Sequence, residues 1–223
     1  MASYLILGAG KFGRLALTRL KEQDAAASFL VVDQDPQALA AARTLQAPRI
    51  QWVQAEAGAF LAENLRTGVP WDWLLPMIPC QVAFGWLWQG PLKGGGWEII
   101  EVPANVGQGL PLARRGPQGE LYLSRAAHLC PDDCLEAEPV CPVSGETREP
   151  PLHEELAAVY VPGFQVRVIV SRQLAPGVGG YPPRRLLTLA DDLRHFAGKV
   201  LIATACRCHG VVQALKRRPG VRG

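Results

Sequence analysis

Six cysteines stand in the chain, at Cys80, Cys130, Cys134, Cys141, Cys206 and Cys208, and five of them fall into two tight groups. Cys130-Pro131-Asp132-Asp133-Cys134 followed by Cys141-Pro142 is a C-x3-C-x6-C spacing, and Cys206-Arg207-Cys208-His209 comes far along the chain. Three soft ligands on one loop, plus a later thiolate or imidazole, can complete a four-ligand site for zinc or an iron–sulfur cluster. The spacing is neither the C-x2-C of a zinc ribbon nor a ferredoxin run, and the CxC pair leaves one thiol beyond four. Two loop cysteines precede proline, which together with the fifth thiol inclines the reading toward iron–sulfur. Ordinary free thiols are the plain alternative. The metal-ligand candidates are thus Cys130, Cys134, Cys141, Cys206 and Cys208, with His128 and His153 flanking the loop as alternatives. The same loop is crowded with acids, Asp132, Asp133, Glu136 and Glu138 among them, against one base, Arg148.

A second group could bind a phosphate. Gly8-x-Gly10-x-x-Gly13 follows an apolar run at residues 4–7 and opens a segment of helical spacing. The first glycine permits a tight turn and the second lets the backbone approach a pyrophosphate. The third lets the helix pack on the strand, so that its N-terminal N–H groups face the anion. Asp33 lies 20 residues beyond Gly13, at the end of a second apolar run. A carboxylate there accepts hydrogen bonds from ribose hydroxyls and repels a 2′-phosphate, which favours NAD over NADP. The cofactor-binding candidates are Gly8, Gly10, Lys11, Phe12, Gly13, Asp33 and Gln34.

Two further features have weaker chemistry. Cys80 follows a strand candidate and is read as a small core residue, the common fate of a free thiol; the alternative is a nucleophile activated by a helix N-terminus. The glycine-rich stretch 171–181, with Arg172, Arg184 and Arg185 nearby, is a candidate substrate or second-ligand loop, or a plain surface loop. No catalytic dyad or triad can be assigned, so the catalytic residues stay unknown.

These residues need elements to position them. Strand candidates at 4–7, 29–32, 50–54, 73–78 and 97–102 alternate with helices from Phe12, from Asp35-Pro36 to about Gln46, at 59–65 and at 81–88. Such alternation predicts an α/β fold with a doubly wound, mostly parallel, Rossmann-like sheet. The second half reads as strands at 120–124, 165–171 and 199–205 and helices at 152–160, 189–197 and 210–217, around a Cys-rich loop at 130–151. The expected division is residues 1–105 as a dinucleotide-binding domain and 106–223 as a smaller α/β domain or a sheet extension.

The 223 residues are 48% hydrophobic and 19% charged, ordinary for a folded chain and incompatible with wholesale disorder. The net charge of +3 does not indicate nucleic-acid binding. Residues 203–223 hold five bases and no acid, leaving 18 bases against 20 acids elsewhere. Residues 71–88 are apolar apart from Asp72 and Gln81, but Pro76 and Pro79 interrupt them, so they read as a strand, a turn and a helix rather than a membrane span. Met1 leads straight into a strand with no secretory pattern, which points to the cytoplasm and a reducing compartment.

Residues 4–65 resemble the NAD-binding domain of potassium-conductance regulators, the TrkA-N or RCK family, through LILGAGKFGRLALTRL and LVVDQDPQAL. The family's glycines and strand-end acid map to Gly8, Gly10, Gly13 and Asp33. Where those regulators carry Gly-Asp after the third strand, this chain has Ala55-Glu56, which keeps the charge and loses the glycine. The resemblance implies a dinucleotide ligand and regulation of a partner such as a transporter. Two expectations therefore stand side by side. One is an NAD-dependent oxidoreductase that moves hydride or electrons between NADH and a cysteine-ligated metal or iron–sulfur site, with a small-molecule substrate. The other is a non-catalytic NAD-sensing module. A homodimer is open in either case.

Overall fold

A computed structural model describes residues 1–45, 49–136 and 139–218. In chain order the first elements are β1 (Ser3–Leu7), α1 (Lys11–Gln23), β2 (Ser28–Asp33), α2 (Pro36–Ala42), β3 (Ile50–Gln54), α3 (Ala57–Asn64), β4 (Trp73–Pro76) and α4 (Val82–Gln89). There follow β5 (Trp97–Ile100), β6 (Leu112–Arg115), β7 (Leu121–Ser124), α5 (Leu152–Ala158), β8 (Phe164–Val170), β9 (Arg172–Ala175), β10 (Val178–Gly180), α6 (Arg184–Arg194), β11 (Lys199–Ala205) and β12 (His209–Arg217). The chain forms two compact units, Met1–Pro91 with Arg172–Thr188, and Leu92–Ser171 with the chain from Leu189 onward. The chain leaves the first unit at 91/92, and residues 172–188 return to it.

The first unit is built on a four-stranded parallel sheet in the order β3-β2-β1-β4. Its central strand supplies Leu5, Ile6 and Leu7, each 0% exposed. Such continuous apolar runs arise because helices cover both faces of a parallel sheet. Tyr4, Ile6, Ala16, Leu17, Leu20, Phe29, Val31 and Leu39 pack into one core. Asp35 caps α2 by accepting the N–H of Gln37, with Pro36 at the first helical position. The expected end of that helix, Gln46, lies outside the described residues. This is the Rossmann-like α/β arrangement, with every strand but the last returning through a helix.

The fifth strand does not join that sheet. β5 pairs antiparallel with β12 in the second unit. The edge of β4 is occupied instead by the end of the β9–β10 hairpin, where Leu74 and Tyr181 exchange hydrogen bonds of 2.9 and 3.0 Å. A parallel fifth strand would need that edge, and the chain turns away after α4 through glycines 90, 94, 95 and 96.

The second unit is a six-stranded sheet, β6-β7-β12-β11-β8, with β5 also on β12. β8 and β11 run parallel and the other pairs antiparallel. The helix expected at 210–217 is β12. Its residues pair along their length with β11, and its other edge is shared, 209–212 by β7 and 214–217 by β5. A short apolar run carries no helical period of its own, and the tight turn at 206–208 folds it back as an antiparallel neighbour. Val102, Leu121, Leu123, Leu152, Leu156, Leu201, Ala203, Val212 and Ala214 form this unit's core. No helix among the described residues is long and apolar enough to cross a membrane.

Candidate functional site

In the first unit the glycine-rich turn follows β1 at the C-terminal edge of the parallel sheet. Gly8 has φ +110° and donates its N–H to Val32 O at 2.7 Å. A Cβ on Gly8 would stand 2.7 Å from both Met77 O and Ile78 Cγ2. A Cβ on Gly13 would stand 1.9 Å from Gly8 O. These two glycines are therefore demanded by the fold itself. Gly10 differs: nothing lies within 4 Å of the position its Cβ would take. It is the N-cap of α1, with no side-chain hydrogen bond capping the first turn. An uncapped helix start beside an open glycine leaves N–H groups and the positive end of the helix dipole for an anion. Lys11 and Phe12 are exposed next to it, with Lys11 Nζ 5.3 Å from the Phe12 ring centre.

Asp33 ends β2. Its Oδ2 accepts the N–H of Ala9 at 2.6 Å, and its Oδ1 accepts that of Asp35 at 2.9 Å. The acid thus shapes the glycine turn and keeps further lone pairs on both oxygens. Gln34 lies on the same edge, its carbonyl accepting Gln54 Nε2 at 3.4 Å. Glu56 is an N-cap. It accepts the N–H of Gly58 at 2.9 Å and of Ala59 at 2.7 Å, and Gln89 Nε2 at 2.8 Å. Burial pushes its carboxyl up, but these hydrogen bonds outweigh it and hold the group below the ordinary glutamate range.

Cys80 is exposed, not a core thiol. It sits in the turn between β4 and α4, where Met77 and Ile78 press against Gly8 and its own N–H reaches Ile78 O at 2.9 Å. Tyr181 is 0% exposed, and its hydroxyl meets no hydrogen-bond partner among the described residues. Burial, reinforced by Cys80, pushes its phenol up. The stretch 171–181 forms the β9–β10 hairpin. A Cβ on Gly180 would come 2.9 Å from Leu74 O, so that glycine serves close strand approach.

In the second unit the five clustered cysteines come from the β7–α5 loop and the β11–β12 turn. Three backbone hydrogen bonds tie these segments: Arg125 N–H to Cys208 O at 2.9 Å, Leu152 N–H to Arg207 O at 2.8 Å and His153 N–H to Cys206 O at 3.2 Å. Cys130 Sγ lies 3.4 Å from His209 Nε2, and Cys141 Sγ lies 3.8 Å from His128 Nε2. Arg148, 2% exposed, donates to Cys134 Sγ at 3.5 Å and to Leu135 O at 2.9 Å, and also bonds Cys141. Arg207 donates its N–H to Glu136 and pairs through its guanidinium with Glu149. His153 faces Glu154 at 3.8 Å.

The thiols are not equivalent. Hydrogen bonds from the backbone and hydroxyl of Ser144, with the N–H of Val143 and Arg148, bring Cys141 down to about 6. Burial, with nearby Cys134 and Cys141, pushes Cys130 up. Burial and Glu136 push Cys206 up to about 12. Burial raises Cys208 to about 11 although Arg148 opposes it. Burial also holds His209 below the ordinary histidine range. For Arg148, burial works against the charge, and Cys141, Cys208 and Cys134 outweigh it. As the side chains stand, no three or more His, Cys, Asp and Glu among the described residues close on a point that could hold a metal ion. Arg148 was visible in the sequence only as the single base of an acidic loop; nothing there marks it as the group among the sulfurs.

Residues 4–64 match the TrkA-N domain, and residues 71–218 match the family described as "Uncharacterized protein, C-terminal domain". The chain is 30% identical over 231 residues to an "Uncharacterized protein" of Archaeoglobus fulgidus, covering 96% of this chain and 99% of that relative. No solved structure matches. The chain belongs to the family defined by that C-terminal domain, joined here to an N-terminal TrkA-N domain.

Proposed function

We propose that the protein is an NAD(H)-binding regulatory module of the TrkA-N kind, in which dinucleotide occupancy at the glycine turn is read by a partner such as a transporter. The observation that carries this reading is the division of labour among the three glycines. Gly8 and Gly13 are filled against the fold, while Gly10 stands open at an uncapped helix start. The pyrophosphate sits over Gly10, Lys11, Phe12 and Gly13, and the adenosine ribose sits at Asp33 and Gln34. Asp33 favours NAD over NADP by charge. Fluorescence titration of the full chain with NADH and NADPH tests it. Saturable NADH binding, at least about tenfold tighter than NADPH, is expected. No binding of either dinucleotide overturns the reading.

A second reading is a cytoplasmic redox protein that moves hydride or electrons between NADH and a metal or iron–sulfur centre on the clustered cysteines. It is favoured by the arrival of five thiols from two distant segments at one end of the second sheet. Anaerobic purification, an absorption spectrum and NADH-linked reduction of a dye test it. Absence of turnover with a redox-active centre present rules it out.

A further inference from the structure

We infer that copies of this chain associate head to tail through the second unit. The acidic, apolar end of its sheet in one copy docks on the basic, aromatic end in the next. This goes beyond the regulatory reading and does not depend on dinucleotide binding.

β11 and β12 set the two ends. β11 runs from Lys199 to Ala205 and β12 returns from His209 to Arg217, so the turn at 206–208 and the pair Lys199–Lys216 lie about 20 Å apart. The β7–α5 loop is tied to the turn by the three backbone bonds from Arg125, Leu152 and His153. α5 starts at the same end, and Tyr160 follows it at the other. There Val161 O accepts the Phe164 N–H at 3.0 Å, and Phe164 pairs with Lys199.

Apolar exposure is concentrated at these two ends. Ten large hydrophobic side chains stand exposed among the described residues, and seven of them are here. Leu129, Leu135, Val140 and Val143 belong to the loop. Leu112 stands on β6 opposite Ser124, the residue that pairs with His209. Tyr160 and Ile99 are at the other end, Ile99 opposite Leu215 of β12. Leu129 is 96% exposed and Tyr160 is 80% exposed. The loop that carries the first group is held in place. Arg148 donates its N–H to Pro139 O at 2.7 Å and its guanidinium to Leu135 O at 2.9 Å. Val140 pairs with Thr147, and Cys141 donates its N–H to Glu146 O at 2.8 Å. Apolar groups held out to water on a fixed backbone mark a docking surface.

Charge names the occupant. Residues 129–155 hold eight acids against Arg148 alone. The other end gathers Arg194, Lys199, Lys216, Arg217 and Arg218, with Glu98 and Asp191 as the acids that pair with them. Lys199 lies over the Phe164 ring at 5.3 Å and Arg217 over the Trp97 ring at 5.8 Å, so cations and aromatic faces form one surface. One copy cannot join its own two ends, because the sheet holds them apart. A second copy carries the surface that matches in both charge and apolar character. Like ends repel, which sets the polarity of the contact. Such a contact is heterologous: each copy uses one surface of each kind, and assembly continues to a ring or an open chain.

The test uses the full chain under reducing conditions. Sedimentation velocity at low salt is expected to show species heavier than a single chain, with a mass that falls on dilution. Raising sodium chloride from about 0.05 to about 0.5 M is expected to weaken association by about tenfold or more, because the opposed charges are screened. Leu129→Arg with Asp133→Lys spoils one end, and Tyr160→Glu with Lys199→Glu spoils the other. All four side chains are exposed, so both double variants are expected to fold, and melting curves check this. Each alone is expected to stay monomeric where the wild type associates. Mixed in equal amounts, they are expected to form a dimer and nothing larger, since each keeps one intact end. A wild-type chain that stays monomeric at about 0.1 mM in low salt overturns the inference. So does either variant assembling like the wild type, or a mixture of the two that stays monomeric. Should a variant misfold, the wild type still decides, because association that salt does not weaken also overturns the inference. A parallel NADH titration separates these outcomes from the dinucleotide reading, because mass and NADH binding are read independently.

Discussion

The carboxylate of Asp33 accepts the backbone N–H of Ala9 at 2.6 Å, which pins the end of β2 to the turn after β1. One side chain thereby sets the shape of the glycine turn and the charge of the expected ribose site. Replacing Asp33 with Ala leaves the N–H of Ala9 without that acceptor, at a cost of about 1–3 kcal/mol. Asp33→Asn keeps an acceptor and removes the charge. The expected outcome is that Asp33→Ala lowers both thermal stability and NADH affinity, while Asp33→Asn keeps stability and narrows the preference for NADH over NADPH. Melting curves and paired titrations check it, and an unchanged preference in Asp33→Asn removes the ribose role.

Gly10 and Gly13 separate folding from binding. Ala at 13 would place Cβ 1.9 Å from Gly8 O, a backbone atom that cannot move without displacing the turn. Gly13→Ala is expected to cost about 3 kcal/mol or more. Ala at 10 meets nothing within 4 Å, so Gly10→Ala should melt with the wild type. Its methyl group would occupy the space a pyrophosphate needs, so NADH binding should fall by at least about tenfold. Wild-type affinity in Gly10→Ala would remove the anion from this turn.

Glu56 gives the first unit a pH dependence. Its carboxyl is held below the ordinary glutamate value of about 4.3, since capping hydrogen bonds from Gly58 and Ala59 and the Gln89 bond outweigh burial. A depressed folded-state value means that its stabilisation is fully present above the unfolded value and is lost as pH falls through the lower folded one. Glu56→Gln should therefore lower stability near neutral pH and flatten the acid limb below about pH 4.5. Chemical unfolding across pH measures both, and an acid limb identical to the wild type removes the charge from the cap.

How much of this could be read from the residues depends on the range of the interaction involved. The parallel sheet was legible because each strand is a continuous apolar run and each return is a local helix with its own cap, as at Asp35-Pro36. Gly8, Gly10 and Gly13 are equally local. The residues 97–100 and 210–217 were not, because a short apolar run says nothing of its partner. The β4 edge at Leu74 is taken by Tyr181, a residue far along the chain, and β12 became a strand through pairing with β11. The spacing of Cys130, Cys134, Cys141, Cys206 and Cys208 suggests one common place for all five. The place of Arg148 against Cys134 and Cys141 has no such signal, since an arginine in an acidic loop ordinarily faces water. Cys80 was misplaced for a similar reason. Its burial depended on the course of the turn after Pro79, which the apolar neighbours concealed.

Tyr181 tests how closely the first unit is packed around a polar group. Its backbone closes the edge of β4, while its hydroxyl is buried without a hydrogen-bond partner among the described residues. An unsatisfied buried hydroxyl costs about 1–3 kcal/mol, and phenylalanine keeps the ring in the same space. Tyr181→Phe is expected to raise stability by about 1 kcal/mol, a melting temperature higher by about 2–4 °C. A lower melting temperature would mean that the hydroxyl is bonded in solution, through a bound water or the Cys80 thiol. Repeating the melt in a Cys80→Ala background separates those two, because only the thiol contribution disappears there.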